Sequence, residues 1–307
     1  MTKPGSDSAQ AERLAELAVT ALVDEAMLSP KPGLVDMRGS GAHDDLSWLL
    51  MCESAQVLRP TFRAMARAGA AITDITALRR RIGALGRDGE ARMMAATGGV
   101  NTHRGAIWAL GLLVTAAARC AVSGTTDPHS IANLAGVLAR CTDPAAPAST
   151  GNKGETARRI WCVGGARGQA EAAFPHVTTV ALPMLHAARA RGDSDSAAQL
   201  NALLAIMASL DDTCLLARGG IDALTAAQAG AHAVLDAGGV ASEAGRAAMR
   251  RLDADLLARR ASPGGAADLL AATLLLDRIG STASPAQQAL QHPQSKPMEA
   301  QHGATAL

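Results

Sequence analysis

Tyrosine is absent from this chain, phenylalanine occurs twice and tryptophan three times in 307 residues. Any aromatic stacking surface therefore falls to Trp48, Trp108 and Trp161, each within a few residues of a motif described below, although tryptophan in a helix is commonly a core residue. Cys52, Cys120, Cys141, Cys162 and Cys214 are odd in number and form no Cys-x-x-Cys pair, which excludes a disulfide framework and a thiolate zinc site. The formal net charge is only +1, so the footprint needed to coat nucleic acid is missing and anionic ligands must be held by local arginines. No stretch approaches the roughly 20 uncharged apolar residues of a membrane span. The N-terminus also lacks the basic-then-apolar order of a secretion signal, so a cytoplasmic protein without a membrane or nucleic-acid partner is expected.

What is present is a helical pattern nearly throughout, with few β-branched runs to compete. Helices are expected near 9–28, 45–69, 75–96, 101–122, 128–140, 175–191, 195–210, 221–237, 242–260 and 265–278. No charge run or Gly/Ser linker divides them, so the fold class expected is all-α, a single-domain multi-helix bundle over residues 9–280 whose motif loops converge on one cleft. Residues 1–8 and 281–307 lack an apolar face and are expected to be disordered ends.

Five glycine- or proline-rich islands interrupt the helices. In the first, Glu25 shares a face with Ala21 and Leu22 and points inward; Pro30-Lys31-Pro32-Gly33 then forms a stiff connector from which Lys31 and Asp36 emerge, with His43, Asp44 and Asp45 directly behind. In the second, Gly98 and Gly99 allow a tight turn and Asn101 is a good N-cap, so the amides of the next helix offer a place for a phosphate. His103 lies inward there with Ile107, Leu110 and Val114, and Arg104 is turned to the rim. The third, Gly164-Gly165-Ala166-Arg167-Gly168, reads as a phosphate-cradling loop, though it matches neither a Walker A nor a dinucleotide fingerprint. In the fourth, Asp211 and Asp212 follow a helix ending near Leu210, where carboxylates oppose the macrodipole and a cation would relieve them; the island runs on to Arg218-Gly219-Gly220. The fifth, Ser262-Pro263-Gly264-Gly265, opens the last helix with Asp268 in its first turn. Singly, each island also reads as an ordinary turn or cap.

Taken in order, the islands resemble the triphosphoribosyl-dephospho-CoA synthase family, which makes the prosthetic-group precursor for the acyl carrier subunits of citrate lyase and malonate decarboxylase. The resemblance covers roughly residues 14–278. It rests on Pro30-Lys31-Pro32-Gly33-x-Val35-Asp36 with Gly41-x-His43-x-Asp45, Asn101-Thr102-His103-Arg104-Gly105, Gly165-Ala166-Arg167-Gly168-Gln169, Asp212 with Arg218-Gly219-Gly220, and Ser262-Pro263-Gly264-Gly265-x-x-Asp268-Leu269-Leu270. Arg104 stands where the family has lysine, and Gln169 where it has glutamate.

The resemblance implies a transferase that joins the ribose 2′-hydroxyl of 3′-dephospho-CoA to C1 of the ribose of ATP and releases adenine. Such a reaction passes through an oxocarbenium-like state, as glycoside cleavage does. It implies Lys31, Arg38, Asn101, Arg104, Gly165, Arg167, Arg218 and Gly264 as substrate- and phosphate-binding residues, and Glu25 or Asp45 as the base for the attacking hydroxyl. His43 or His103 would hydrogen-bond the departing adenine, on which one of the tryptophans could stack. Magnesium is the expected cofactor, with Asp36, Asp211, Asp212 and Asp268 as its candidate ligands. The product would pass to a phosphoribosyl-dephospho-CoA transferase acting on an acyl carrier protein. Ala- and Arg-rich usage favours the malonate decarboxylase system. A magnesium-dependent helical hydrolase of N-ribosyl bonds and a non-enzymatic helical scaffold are the competing readings.

Overall fold

The computed structural model describes residues 4–147 and 149–281; most of the tail expected over 281–307 lies outside these, as do residues 1–3. Among the described residues there are thirteen α-helices and no sheet. In chain order they are α1 (Pro4–Met27), α2 (Trp48–Val57), α3 (Arg59–Ala71), α4 (Ile75–Ala96), α5 (Arg104–Val122), α6 (Pro128–Arg140) and α7 (Lys153–Trp161). Then follow α8 (Gly165–Glu171), a π-helical segment (His176–Ala181), α9 (Leu182–Ala190), α10 (Asp195–Met207), α11 (Thr213–Asp236), α12 (Glu243–Ala258) and α13 (Gly264–Ser281).

Each departure from the expected helices has a local cause. The helix expected over 45–69 is two, α2 and α3, because Pro60 has no N–H for the carbonyl of Gln56; the chain steps at Leu58, whose amide bonds back to Ala55. The segment expected as one helix from 175 to 191 starts as a π turn ahead of Pro183, again a residue without a donor for the preceding turn. α11 begins eight residues before the expected 221, and Gly220, at φ 63° and ψ −157°, kinks it where the next helix was expected to begin. α7 and α8 were not expected at all. α1 starts at Pro4, inside the expected disordered end.

α1, α3, α5 and α13 pack against one another and form the centre of the bundle. Leu14, Ala18, Ala21 and Leu22 of α1 are buried there, and Glu25 follows on the same face. α3 crosses α5 so closely that a Cβ on Gly69 would lie 2.2 Å from the Thr115 carbonyl oxygen. α5 is long and apolar enough to span a membrane by length and composition, nearer to that limit than the sequence reading allowed. It is nonetheless the core helix of the bundle, contacted by α1, α3, α4, α6 and α13. The N-terminal ends of α5 and α13 and the 31–46 connector meet α4 and α11 around one cavity.

Candidate active site

The first island folds around Asp36. This carboxylate accepts from the Lys31 amide at 2.8 Å, the Ser29 hydroxyl at 3.1 Å, and the Arg38 amide and Nε at 2.8 and 2.9 Å. Arg38 also donates to Asp253 at 2.7 Å. Asp36 is 1% exposed and neither it nor Arg38 lines the cavity, so the expected metal role of the one and phosphate role of the other are corrected: they hold the connector's shape. That shape needs Gly33, whose φ is +66° and whose absent Cβ would fall 2.6 Å from the Ala261 carbonyl. It delivers Lys31 into the cavity wall, where Nζ donates to Glu25 Oε1 at 2.5 Å with both side chains buried.

His43, on the same connector, accepts at Nδ1 from Arg218 at 2.9 Å, with Asp45 Oδ1 at 3.7 Å. Burial, then the Arg218 charge, depress its pKa to about 4 against the pull of Asp45 and Asp44. It is therefore neutral near pH 7 and carries its proton on Nε2. Asp45 stands largely in solvent at the rim.

α5 starts at Arg104, with His103 in the cap position. Asn101 still serves the helix, accepting from the Arg104 amide at 3.2 Å. His103 is 2% exposed; its Nδ1 is 2.8 Å from Ser54 Oγ, which in turn is 2.6 Å from Thr102 Oγ1, and Nε2 has no partner among the described residues. Burial first, and Lys31's charge second, lower its pKa to about 4. Arg104 is half-buried and its Nε donates to Glu90 at 2.6 Å.

The fourth island reverses its expected electrostatics. α10 ends at Met207, and Asp212 caps the favourable N-terminal end of α11, accepting from Cys214 at 2.7 Å and from Ala266 at the start of α13 at 2.9 Å. Burial still raises its pKa. Asp268 is raised further, by burial and then by the charges of Glu25 and Asp212, against the Ala106 amide. Gly105 makes room for it, since a Cβ there would lie 2.0 Å from Asp268 Oδ2. The third island is not a loop. Gly165 is left-handed at φ 56° and opens the short α8, and the exposed Arg167 donates to Glu171 at 2.6 Å.

One cavity of about 1060 Å³ gathers Glu25, Lys31, His43, Asp45, Asn101, His103, Arg104, Gly165, Arg167, Asp211, Asp212, Arg218, Gly264 and Asp268. All five islands meet there, as the single-cleft expectation requires. Sequence reasoning missed Arg79, Arg87, Asp143 and Lys153, which also line it. The signal for the α4 pair was a stripe at helical spacing, Arg79, Ile82, Gly83, Gly86, Arg87 and Glu90, outside any glycine island. Of the three tryptophans, Trp108 alone lines the cavity.

The hard oxygen donors fit magnesium, which commonly takes one or two carboxylates and completes its shell with water and substrate phosphate. No three-residue metal cluster exists among the described residues; Asp268 is raised first by burial and then by repulsion from Glu25 and Asp212, and the repulsive part is what a bound cation would relieve.

The cavity of this all-helical domain is larger than one ordinary small-molecule pocket, and its carboxylates, neutral histidines and arginines are the lining of a site suited to an enzyme acting on phosphorylated substrates. The family model described as CitG, ATP:dephospho-CoA triphosphoribosyl transferase, matches residues 11–286. The chain is 59% identical over 266 residues to the 2-(5''-triphosphoribosyl)-3'-dephosphocoenzyme-A synthase of Klebsiella pneumoniae, covering 87% of this chain and 94% of that one. It is 58% identical over 275 residues to a probable enzyme of the same name from Stutzerimonas stutzeri (strain A1501), covering 89% and 94%. No solved structure matches it. The chain belongs to the triphosphoribosyl-dephospho-CoA synthase family and is a transferase.

Proposed function

We propose that this enzyme transfers the triphosphoribosyl group of ATP to the ribose 2′-hydroxyl of 3′-dephospho-CoA. The bond from C1 to adenine breaks and the bond from C1 to the acceptor oxygen forms; the hydroxyl proton passes to a carboxylate and on to solvent, and adenine takes up one proton from solvent on its ring, so that it leaves neutral and the site regains its charge. The observation that carries the reading is the convergence of all five family motifs on one cavity with room for two nucleotides.

Glu25, buried beside Lys31, is the base in this reading, in preference to the solvated Asp45. His43, neutral and protonated on Nε2, hydrogen-bonds a ring nitrogen of the departing adenine; a positive imidazole would repel the oxocarbenium-like carbon. Asp268 and Asp211 would hold magnesium, which would supply positive charge to neutralise the triphosphate. Arg218, Arg104 and Lys153 contribute further positive charge at the cavity wall. The enzyme works in the cytoplasm, and its product passes to a phosphoribosyl-dephospho-CoA transferase serving an acyl carrier protein. Ala- and Arg-rich usage supports malonate decarboxylase over citrate lyase as the system served, and the neighbouring genes would decide it.

The test is incubation with magnesium, ATP and 3′-dephospho-CoA. Adenine and triphosphoribosylated dephospho-CoA are expected in equal amounts by mass spectrometry. ADP or pyrophosphate as the stoichiometric product would overturn the reading, and adenine release without dephospho-CoA would favour a hydrolase.

A further inference from the structure

Arg79 is a buried cation of the cavity to which the mechanism above gives no part. It is 7% exposed, and its guanidinium carbon sits 5.2 Å from the centre of the Trp108 ring. The nearest carboxylate, Asp143, is 3.7 Å from Nη1, beyond hydrogen-bond range. Asp143 is committed elsewhere: it accepts from Arg87 at 2.7 Å and from the Ala145 amide of its own loop at 3.1 Å. Arg79 Nε and Trp108 Nε1 are both buried without a hydrogen-bond partner among the described residues.

This arrangement is built into the backbone. Gly83, one turn along α4 from Arg79, leaves space that a Cβ would fill at 2.0 Å from Asp143 Oδ2 and 2.8 Å from Arg79 Nη1. Four other cavity cations have nearer partners: Glu25 for Lys31, Glu90 for Arg104, Glu171 for Arg167 and His43 for Arg218. The Arg79, Arg87 and Asp143 cluster carries two positive charges against one negative. Burial, with the charges of Arg87 and Arg167, disfavours the Arg79 cation against the pull of Asp143, and the balance still lies below the ordinary arginine value. A buried, under-bonded guanidinium is costly unless something completes its hydrogen bonds, and only an acceptor-rich anion answers both needs.

We propose that Arg79, held against Trp108 and flanked by Arg87, is a phosphate subsite that takes a polyphosphate group of a nucleotide substrate. The proposal rests on the transferase reading of this cavity and extends it to residues outside the five family motifs. Arginine suits the role because its planar fork can stay stacked on the indole while bonding phosphate oxygens.

Calorimetry on the full chain with inorganic tripolyphosphate tests it. Wild type should bind, Arg79→Met should bind about tenfold or more weakly, and Arg79→Lys should fall between because it keeps charge but loses the stacked fork. Trp108→Phe, which keeps a ring, should weaken binding less than Arg79→Met; circular dichroism melts confirm that each variant is folded. A KM rise confined to ATP would assign the subsite to the triphosphate, and one confined to dephospho-CoA to its diphosphate; both uphold a phosphate subsite. Failure of wild type to bind tripolyphosphate overturns the proposal, as does a folded Arg79→Met that binds it like wild type. Loss of adenosine affinity in Trp108→Leu with tripolyphosphate affinity intact would show a base platform instead and also overturn it. Arg79-dependent tripolyphosphate binding by an enzyme that releases no adenine would refute the transferase reading and leave the subsite standing.

Discussion

Asp268 is held by opposing forces: burial and the charges of Glu25 and Asp212 raise its pKa, while the amide of Ala106 at the start of α5 lowers it. Asp268→Asn keeps the shape and an acceptor for that amide but removes the charge. Its kcat should fall by about 100-fold or more if the carboxylate takes part in binding charge in the site. Its melting temperature should be equal to or above that of wild type, because a mutual repulsion disappears. Adenine release and thermal melts measure the two outcomes, and a fully active variant would remove Asp268 from the chemistry. His103 makes a separate prediction about pH. Its folded pKa of about 4 lies below the ordinary value of 6.5, so between these values the unfolded chain binds a proton that the folded chain does not. Stability is thus present above pH 6.5 and is lost as the pH falls toward 4, by roughly 3 kcal/mol from this residue. Urea midpoints at pH 7.5 and 4.5 should separate more for wild type than for His103→Gln; equal separations would contradict the burial of a neutral imidazole.

At the scale of elements, the site depends on how closely the central helices approach. α3 and α5 meet at Gly69, where a Cβ would press on the backbone at Thr115 at 2.2 Å, and a main-chain oxygen cannot swing away as a flexible side chain can. Gly69→Ala should therefore destabilise the domain by about 1–3 kcal/mol. Thermal melts against Gly98→Ala, at an open turn with no atom near the added methyl but a positive φ, separate steric clash from backbone strain. At the N-terminus of α5 the constraint is functional. Gly105→Ala would drive a methyl into Asp268 Oδ2, so it should reproduce the activity loss of Asp268→Asn while leaving the far-UV helical signal intact. Retained activity in Gly105→Ala would mean that Asp268 can work from another position.

For the whole molecule, the cavity is bounded by α1 to α8, α11 and α13 together with the connectors, so a ligand filling it touches elements from most of the chain. Such a ligand binds the folded state alone. At about 100 times its Kd it should add roughly 2.7 kcal/mol to stability. In a domain of this size that corresponds to a rise in melting temperature of about 5–10 °C. ATP and dephospho-CoA should each produce it, and their effects should add if the two occupy separate parts of the cavity. Scanning fluorimetry with each alone and both together provides the check; a shift with neither would place nucleotide binding elsewhere.

Sequence by itself determined the helical class and the five islands, because an apolar face at helical spacing and a glycine or proline break are local properties of the chain. It could also place Glu25 on the buried face of α1, since that needs only the period of one helix. Which charges are spent on one another was decided by tertiary structure. Asp36 and Arg38 sit in the first motif beside Lys31, yet they close the connector on itself and on Asp253 of α12, a partner far along the chain. Asp212 follows the end of one helix in sequence and is the cap of the next, a matter of a few residues in where α10 stops. Arg79 and Asp143 carry no glycine-rich signature, and their approach to Trp108 and to each other depends on α4, α5 and the loop after α6 being brought side by side. Hydrogen-bond pairing and desolvation depend on distances between segments remote in sequence, and only the packed bundle sets those distances.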